Sequence, residues 1–156
     1  MKSVLIVEDD EFKLESLEEC LLHFQFDITI SRSFSSAAKL IKRTTFDLII
    51  LDMSLPTFDG SGFSDEGEAQ GLGGKRLIRL CDEYGTLCNT ILVTQFSNFE
   101  EVGRVSSVVD LTEDLRLILN DLFLGVVRYD RASSDWRVEL EKLLGIGLGN
   151  FSKAKK

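Results

Sequence analysis

No stretch of this chain stays apolar for the roughly 18 residues that a membrane span requires, so no span is expected. The opening residues, Met1-Lys2-Ser3-Val4-Leu5-Ile6-Val7-Glu8, meet acids too early for a signal peptide, and the cytoplasm is the expected compartment. Histidine is nearly missing. His23 alone, inside an apolar helical segment, leaves little from which to build a zinc site or a histidine-based triad. The three cysteines, Cys20, Cys81 and Cys88, form no Cys-x-x-Cys pair and read as reduced structural thiols, with Cys20 on an apolar helical stripe. Positive charge is also short. With 18 basic and 26 acidic residues the formal net charge is −8, which argues against a nucleic-acid ligand, because phosphate contacts demand a basic surface. The basic tail at 150–156, ending Ser152-Lys153-Ala154-Lys155-Lys156, reads as a solvated terminus rather than a binding arm. No lysine at all lies between Lys75 and Lys142.

What is present is ordinary globular material: 156 residues, 44% hydrophobic and 28% charged, enough for one domain over 1–156 with a real core. Val4 to Val7 and Leu48 to Leu51 are unbroken aliphatic runs, the habit of strands buried on both faces of a parallel sheet. Phe26 to Ser31 alternates as a more exposed strand does; Thr90 to Thr94 and Gly125 to Tyr129 read as the fourth and fifth strands. Helices are expected between them, at about Glu11 to Phe24 (Leu14, Leu17, Leu21 and Phe24 inward), from Ser35 to about Arg43, and from Lys75 to Tyr84. Two more are expected at Thr112 to Phe123 and at Trp136 to Leu144, while Phe99 to Ser107 is left unassigned. The alternation specifies an α/β fold, a doubly wound five-stranded parallel sheet of flavodoxin-like (βα)5 form.

One segment breaks the pattern. Residues 58–74, FDGSGFSDEGEAQGLGG, hold six of the twelve glycines, four acids and no lysine or arginine, and read as a flexible acidic loop of unusual length. Gly74-Lys75 lacks the preceding glycine and following hydroxyl of a phosphate-cradling P-loop. Asp59, Ser61 and Asp65 lack the ligand spacing of a calcium loop.

Chemistry gathers at the strand ends. In such a sheet every strand opens its carboxyl end on one edge, where ligands bind. The first strand delivers Glu8 and Asp9 there, the third Asp52, and the fourth Thr94. Each pair of carboxylates about 5 Å apart repels by roughly 3 kcal/mol at an effective dielectric near 20, which calls for a counter-charge. Magnesium suits an oxygen-only site that also receives a phosphate. A carboxylate attacking phosphorus beside such a cation would perform phosphoryl transfer. The bland alternative for Asp9 and Asp10 is that they favour the positive end of the first helix.

The motifs VLIVEDD at 4–10, DLIILDMSLP at 47–56 and ILVT at 91–94, in this order, resemble the receiver domain of two-component response regulators, over about residues 3 to 145. The resemblance implies strand order 2-1-3-4-5 and Asp52 as the phosphoacceptor. It implies Asp9 as a direct Mg²⁺ ligand, Glu8 binding through water, and the backbone carbonyl of Ser54 completing the set. Thr94 would hydrogen-bond the phosphoryl group and Pro56 would shape the loop after the acceptor. The implied donor is a histidine kinase or phosphotransfer protein. The output would pass by contact to another protein, or through a homodimer, because no DNA-binding segment follows the last helix. At most the molecule is a self-phosphorylating and autodephosphorylating switch, not an enzyme acting on an external substrate.

The sequence departs from the family at one important place. The family carries a lysine at the end of the fifth strand, and here Arg128 and Arg131 are the nearest cations, with Tyr129 in the place of a switch aromatic. Gln95 follows the strand-four hydroxyl where a small residue is usual. These departures keep open a pseudo-receiver, a constitutive interaction module that has lost the switch. A phosphatase of the haloacid-dehalogenase type would want an aspartate where Ser54 stands. An FMN phosphate would be repelled by Glu8 and Asp9.

Overall fold

The computed structural model describes residues 1–53, 55, 73–95, 98–101 and 104–147, with the backbone alone for 98–101 and 104–108. Five strands form one parallel sheet: β1 (Lys2–Val7), β2 (Phe26–Ser31), β3 (Leu48–Leu51), β4 (Asn89–Thr94) and, last in the chain, β7 (Phe123–Arg128). Their spatial order is β2-β1-β3-β4-β7, which counted within the sheet is 2-1-3-4-5. Parallel neighbours need long crossovers, and helices supply them. These are α1 (Glu11–Leu21), α2 (Phe34–Ile41), α3 (Gly73–Tyr84), α4 (Val108–Leu119) and α5 (Asp135–Gly147).

The aliphatic runs divide their side chains between the two faces, as a period of two requires. Leu5, Val7, Ile49, Leu51 and Leu92 pack with Ala37 and Ile41 of α2, Leu77, Ile78 and Cys81 of α3, and Leu111 and Leu115 of α4. Val4, Ile6, Leu48, Ile50, Val93 and Val127 pack on the other side with Leu14, Leu17 and Cys20 of α1 and Trp136, Leu140 and Leu144 of α5. Each fully buried aliphatic contributes about 1.5–3 kcal/mol, so the two layers fix the strand register firmly.

The end of the chain differs in detail from its sequence reading. The segment around 99–107 holds a two-stranded antiparallel ribbon, β5 (Asn98–Glu101) and β6 (Arg104–Ser107). The fourth helix starts at Val108 rather than Thr112 and ends at Leu119, because Asn120 takes a left-handed φ of 55°. A 3-10 turn over Asn120–Leu122 then leads into β7, so Phe123 is strand and not helix. Where β7 pairs with β4 the register shifts between Thr90 and Ile91, and Gly125 supplies the φ of 151° needed there.

Register places the strand ends. Val7 pairs with Leu51 and Leu51 with Leu92, so Glu8, Asp52 and, two residues after Leu92, Thr94 come toward one edge of the sheet. Gly74, at the start of α3, braces that edge: its N–H donates to the Met53 carbonyl at 3.1 Å. A Cβ on Gly74 would stand 2.8 Å from the Asp52 carbonyl oxygen, so only glycine allows this approach.

Candidate phosphoryl-acceptor site

Glu8 follows β1 directly and stays in the ladder, its N–H donating to the Ser31 carbonyl at 2.9 Å. Its carboxylate turns back to accept from the Asp10 N–H at 3.1 Å. Asp10 caps α1, its side chain accepting from the Phe12 N–H, so the acidic run is also a helix start. Asp52 follows β3, held by its N–H to the Val7 carbonyl at 3.2 Å. One ligand atom from each of Glu8, Asp9 and Asp52 lies within 4.8 Å of the others. Glu8 and Asp52 are buried and Asp9 is exposed, so the cluster opens to solvent at Asp9.

Thr94 is wholly buried at the end of β4, and its carbonyl accepts from the Tyr129 N–H at 2.9 Å. The structure therefore gathers Glu8, Asp9, Asp52 and Thr94 at one edge of the sheet. Ser54, Pro56 and the 58–74 loop as far as residue 72 lie outside the described residues, as does the tail from 148.

The family model for the response regulator receiver domain matches residues 4–78. Over 143 residues the chain is 29% identical to the Detocs response regulatory protein DtcB of Enterobacter cloacae, covering 89% of this chain and 95% of that one. The chain is thus similar to response-regulator receivers, by the family model over residues 4–78 and by that relative over most of its length. Among solved structures, the chain superposes on the receiver domain of sensor histidine kinase PA1611 from Pseudomonas aeruginosa, solved with a magnesium ion coordinated in the active site cleft. The TM-score is 0.60 at 21% identity, over 96% of this chain and 98% of that one. The phosphorylated cyanobacterial phytochrome response regulator RcpA gives a TM-score of 0.62 at 16% identity, with 99% of each chain covered.

The side chain that sequence reasoning overlooked at this site is Lys13. Its Nζ lies 2.9 Å from Glu8 Oε1 and 3.5 Å from Asp52 Oδ2, and its side chain is 1% exposed. The ammonium stands 6.0 Å from the ring centre of Tyr129, at the limit of a cation–π contact. Lys13 reaches the strand ends because a helical side chain points back toward the helix N-terminus. A signal was available. Lys13, Leu17, Cys20 and Phe24 are spaced four, three and four apart, so Lys13 heads the buried stripe of α1.

The two arginines stand differently. Arg128 ends β7, exposed and in register with Thr94. Arg131 places its guanidinium 3.9 Å from the ring centre of Phe12. Tyr129 points inward, its hydroxyl 3.1 Å from Ser16 Oγ and its ring 5.1 Å from that of Trp136.

Electrostatics follow from crowding. Burial, then the charge of Asp52, push the Glu8 carboxyl up to about 8 against the pull of Lys13. Burial and Asp52 raise Asp9 as well. Burial alone would lower Lys13, but the charges of Asp52 and Glu8 outweigh it and hold the ammonium above its ordinary value. Once all three carboxyls have lost their protons, one ammonium among them leaves two negative charges, and every carboxyl donor atom is oxygen. That donor set fits a hard divalent cation.

Proposed function

We propose that this receiver accepts a phosphoryl group on Asp52, from a phosphohistidine of a histidine kinase or phosphotransfer protein, and signals by protein contact. The observation that carries the reading is the convergence of Glu8, Asp9 and Asp52 within 4.8 Å, with buried Thr94 ending β4 on the same edge of the sheet. An Asp52 carboxylate oxygen attacks phosphorus; the O–P bond forms as the donor's P–N bond breaks, and its electron pair returns to the imidazole nitrogen. Glu8, Asp9, Asp52 and the Ser54 carbonyl would hold Mg²⁺, whose charge offsets that of the phosphoryl oxygens. The Thr94 hydroxyl donates to one of those oxygens. The product adds about two negative charges and three strong acceptors, enough to bias a two-state surface toward another protein or a second copy.

Intact-mass spectrometry after incubation with acetyl phosphate tests this. Wild type gains one phosphoryl adduct that requires Mg²⁺, and Asp52→Ala gains none. A wild-type protein that stays unmodified, with Mg²⁺ present, would make the molecule a constitutive interaction module instead.

A further inference from the structure

We propose that Lys13 is the phosphoryl-binding cation of this receiver, delivered to Asp52 by the first turn of α1 in place of a lysine from the last strand. The proposal rests on Asp52 being the acceptor and names the group that stabilises its phosphorylated form.

Four observations carry it. Lys13 Nζ is 3.5 Å from Asp52 Oδ2, an ion pair to the acceptor carboxylate itself. Its partner at 2.9 Å, Glu8, is a carboxylate also held by the Asp10 N–H, so Glu8 keeps a donor when the ammonium turns toward a new acceptor. An ammonium has three donors, and a phosphoryl group on Asp52 brings acceptors to the side of the carboxylate that Lys13 already faces. Finally, the position is costly. Lys13 heads an otherwise apolar stripe and is 1% exposed, and a lysine is rarely buried to that degree without charged partners. A methionine would fill a similar volume on the buried stripe of α1 without that cost. The lysine-free span from 76 to 141 includes all of β7, so that strand offers no ammonium to compete for the role.

Two consequences separate this role from a merely structural one, because they have opposite signs. Lys13 repels a divalent cation from Glu8 and Asp52 but attracts a phosphoryl group. Lys13→Met therefore tightens Mg²⁺ binding, while weakening the binding of beryllofluoride, a phosphoryl mimic, at saturating Mg²⁺ by about tenfold or more, the worth of one charge-assisted hydrogen bond. Trp136 reports both titrations, since its ring packs on Tyr129, which neighbours the ammonium. Wild-type protein labelled with ¹⁵N-lysine gives a second readout that needs no variant. The Lys13 ammonium signal moves when beryllofluoride is added to the Mg²⁺-saturated protein. A signal that stays in place, or a Lys13→Met protein that binds beryllofluoride as wild type does, overturns the proposal. Failure of the acceptor reading looks different: wild type itself then binds no beryllofluoride and gains no adduct, while the effect of Lys13→Met on Mg²⁺ affinity persists.

Discussion

At the scale of single residues the site is a balance between Lys13 and three acids. Glu8 shows the cost most clearly, because burial and the Asp52 charge raise it from the ordinary carboxylate range to about 8. A raised carboxyl binds its proton more tightly folded than unfolded. Its contribution to stability is therefore present at low pH and is lost as pH rises through the folded value. In metal-free protein the melting temperature should fall between about pH 5 and pH 8.5 more steeply in wild type than in Glu8→Gln, which cannot ionise. Thermal melts in chelator across that range check it; parallel slopes would show that Glu8 is not the titrating group. Glu8 with Asp9, and Asp52, were legible in the sequence because the Glu8-Asp9 pair and Asp52 each end an aliphatic run. Lys13 was missed although its spacing with Leu17 and Cys20 put it on the buried stripe, because a lysine is rarely buried without charged partners and those came only with the fold.

At the scale of elements, the acceptor edge depends on how closely α3 approaches the end of β3. Gly74 donates to the Met53 carbonyl, and a Cβ there would stand 2.8 Å from both the Asp52 carbonyl oxygen and the Met53 sulfur. Gly74→Ala should lower stability by about 1–3 kcal/mol through overpacking, seen as an earlier midpoint in urea unfolding. An unchanged midpoint would mean that α3 shifts freely and does not brace the acceptor. Gly74 and its neighbour Gly73 looked like the end of an acidic loop in the sequence, yet they begin the first turn of the helix. Strands β1, β3 and β4 could be read directly because they are buried on both faces. The ribbon of β5 and β6 could not, because Asn98–Glu101 and Arg104–Ser107 are short and carry no continuous apolar run. The start of α4 was obscured for a related reason: Val108 and Val109 are β-branched and weak helix formers.

At the scale of the whole molecule, two apolar layers hold a parallel sheet whose carboxyl edge collects the chemistry; alternation made the parallel sheet legible, while the order of its strands came from the resemblance. The likeness to known receivers extends over the fold, while the buried ammonium paired with Asp52 comes from the first helix. The whole account stands on one covalent event at Asp52. Borohydride reduces an acyl phosphate to an alcohol, so protein treated with acetyl phosphate and Mg²⁺, then trapped and mapped by peptide mass spectrometry, reveals which carboxyl carried the group. The account predicts homoserine at position 52 and nowhere else; an unmodified Asp52, or a label on Glu8 or Asp9, would contradict it.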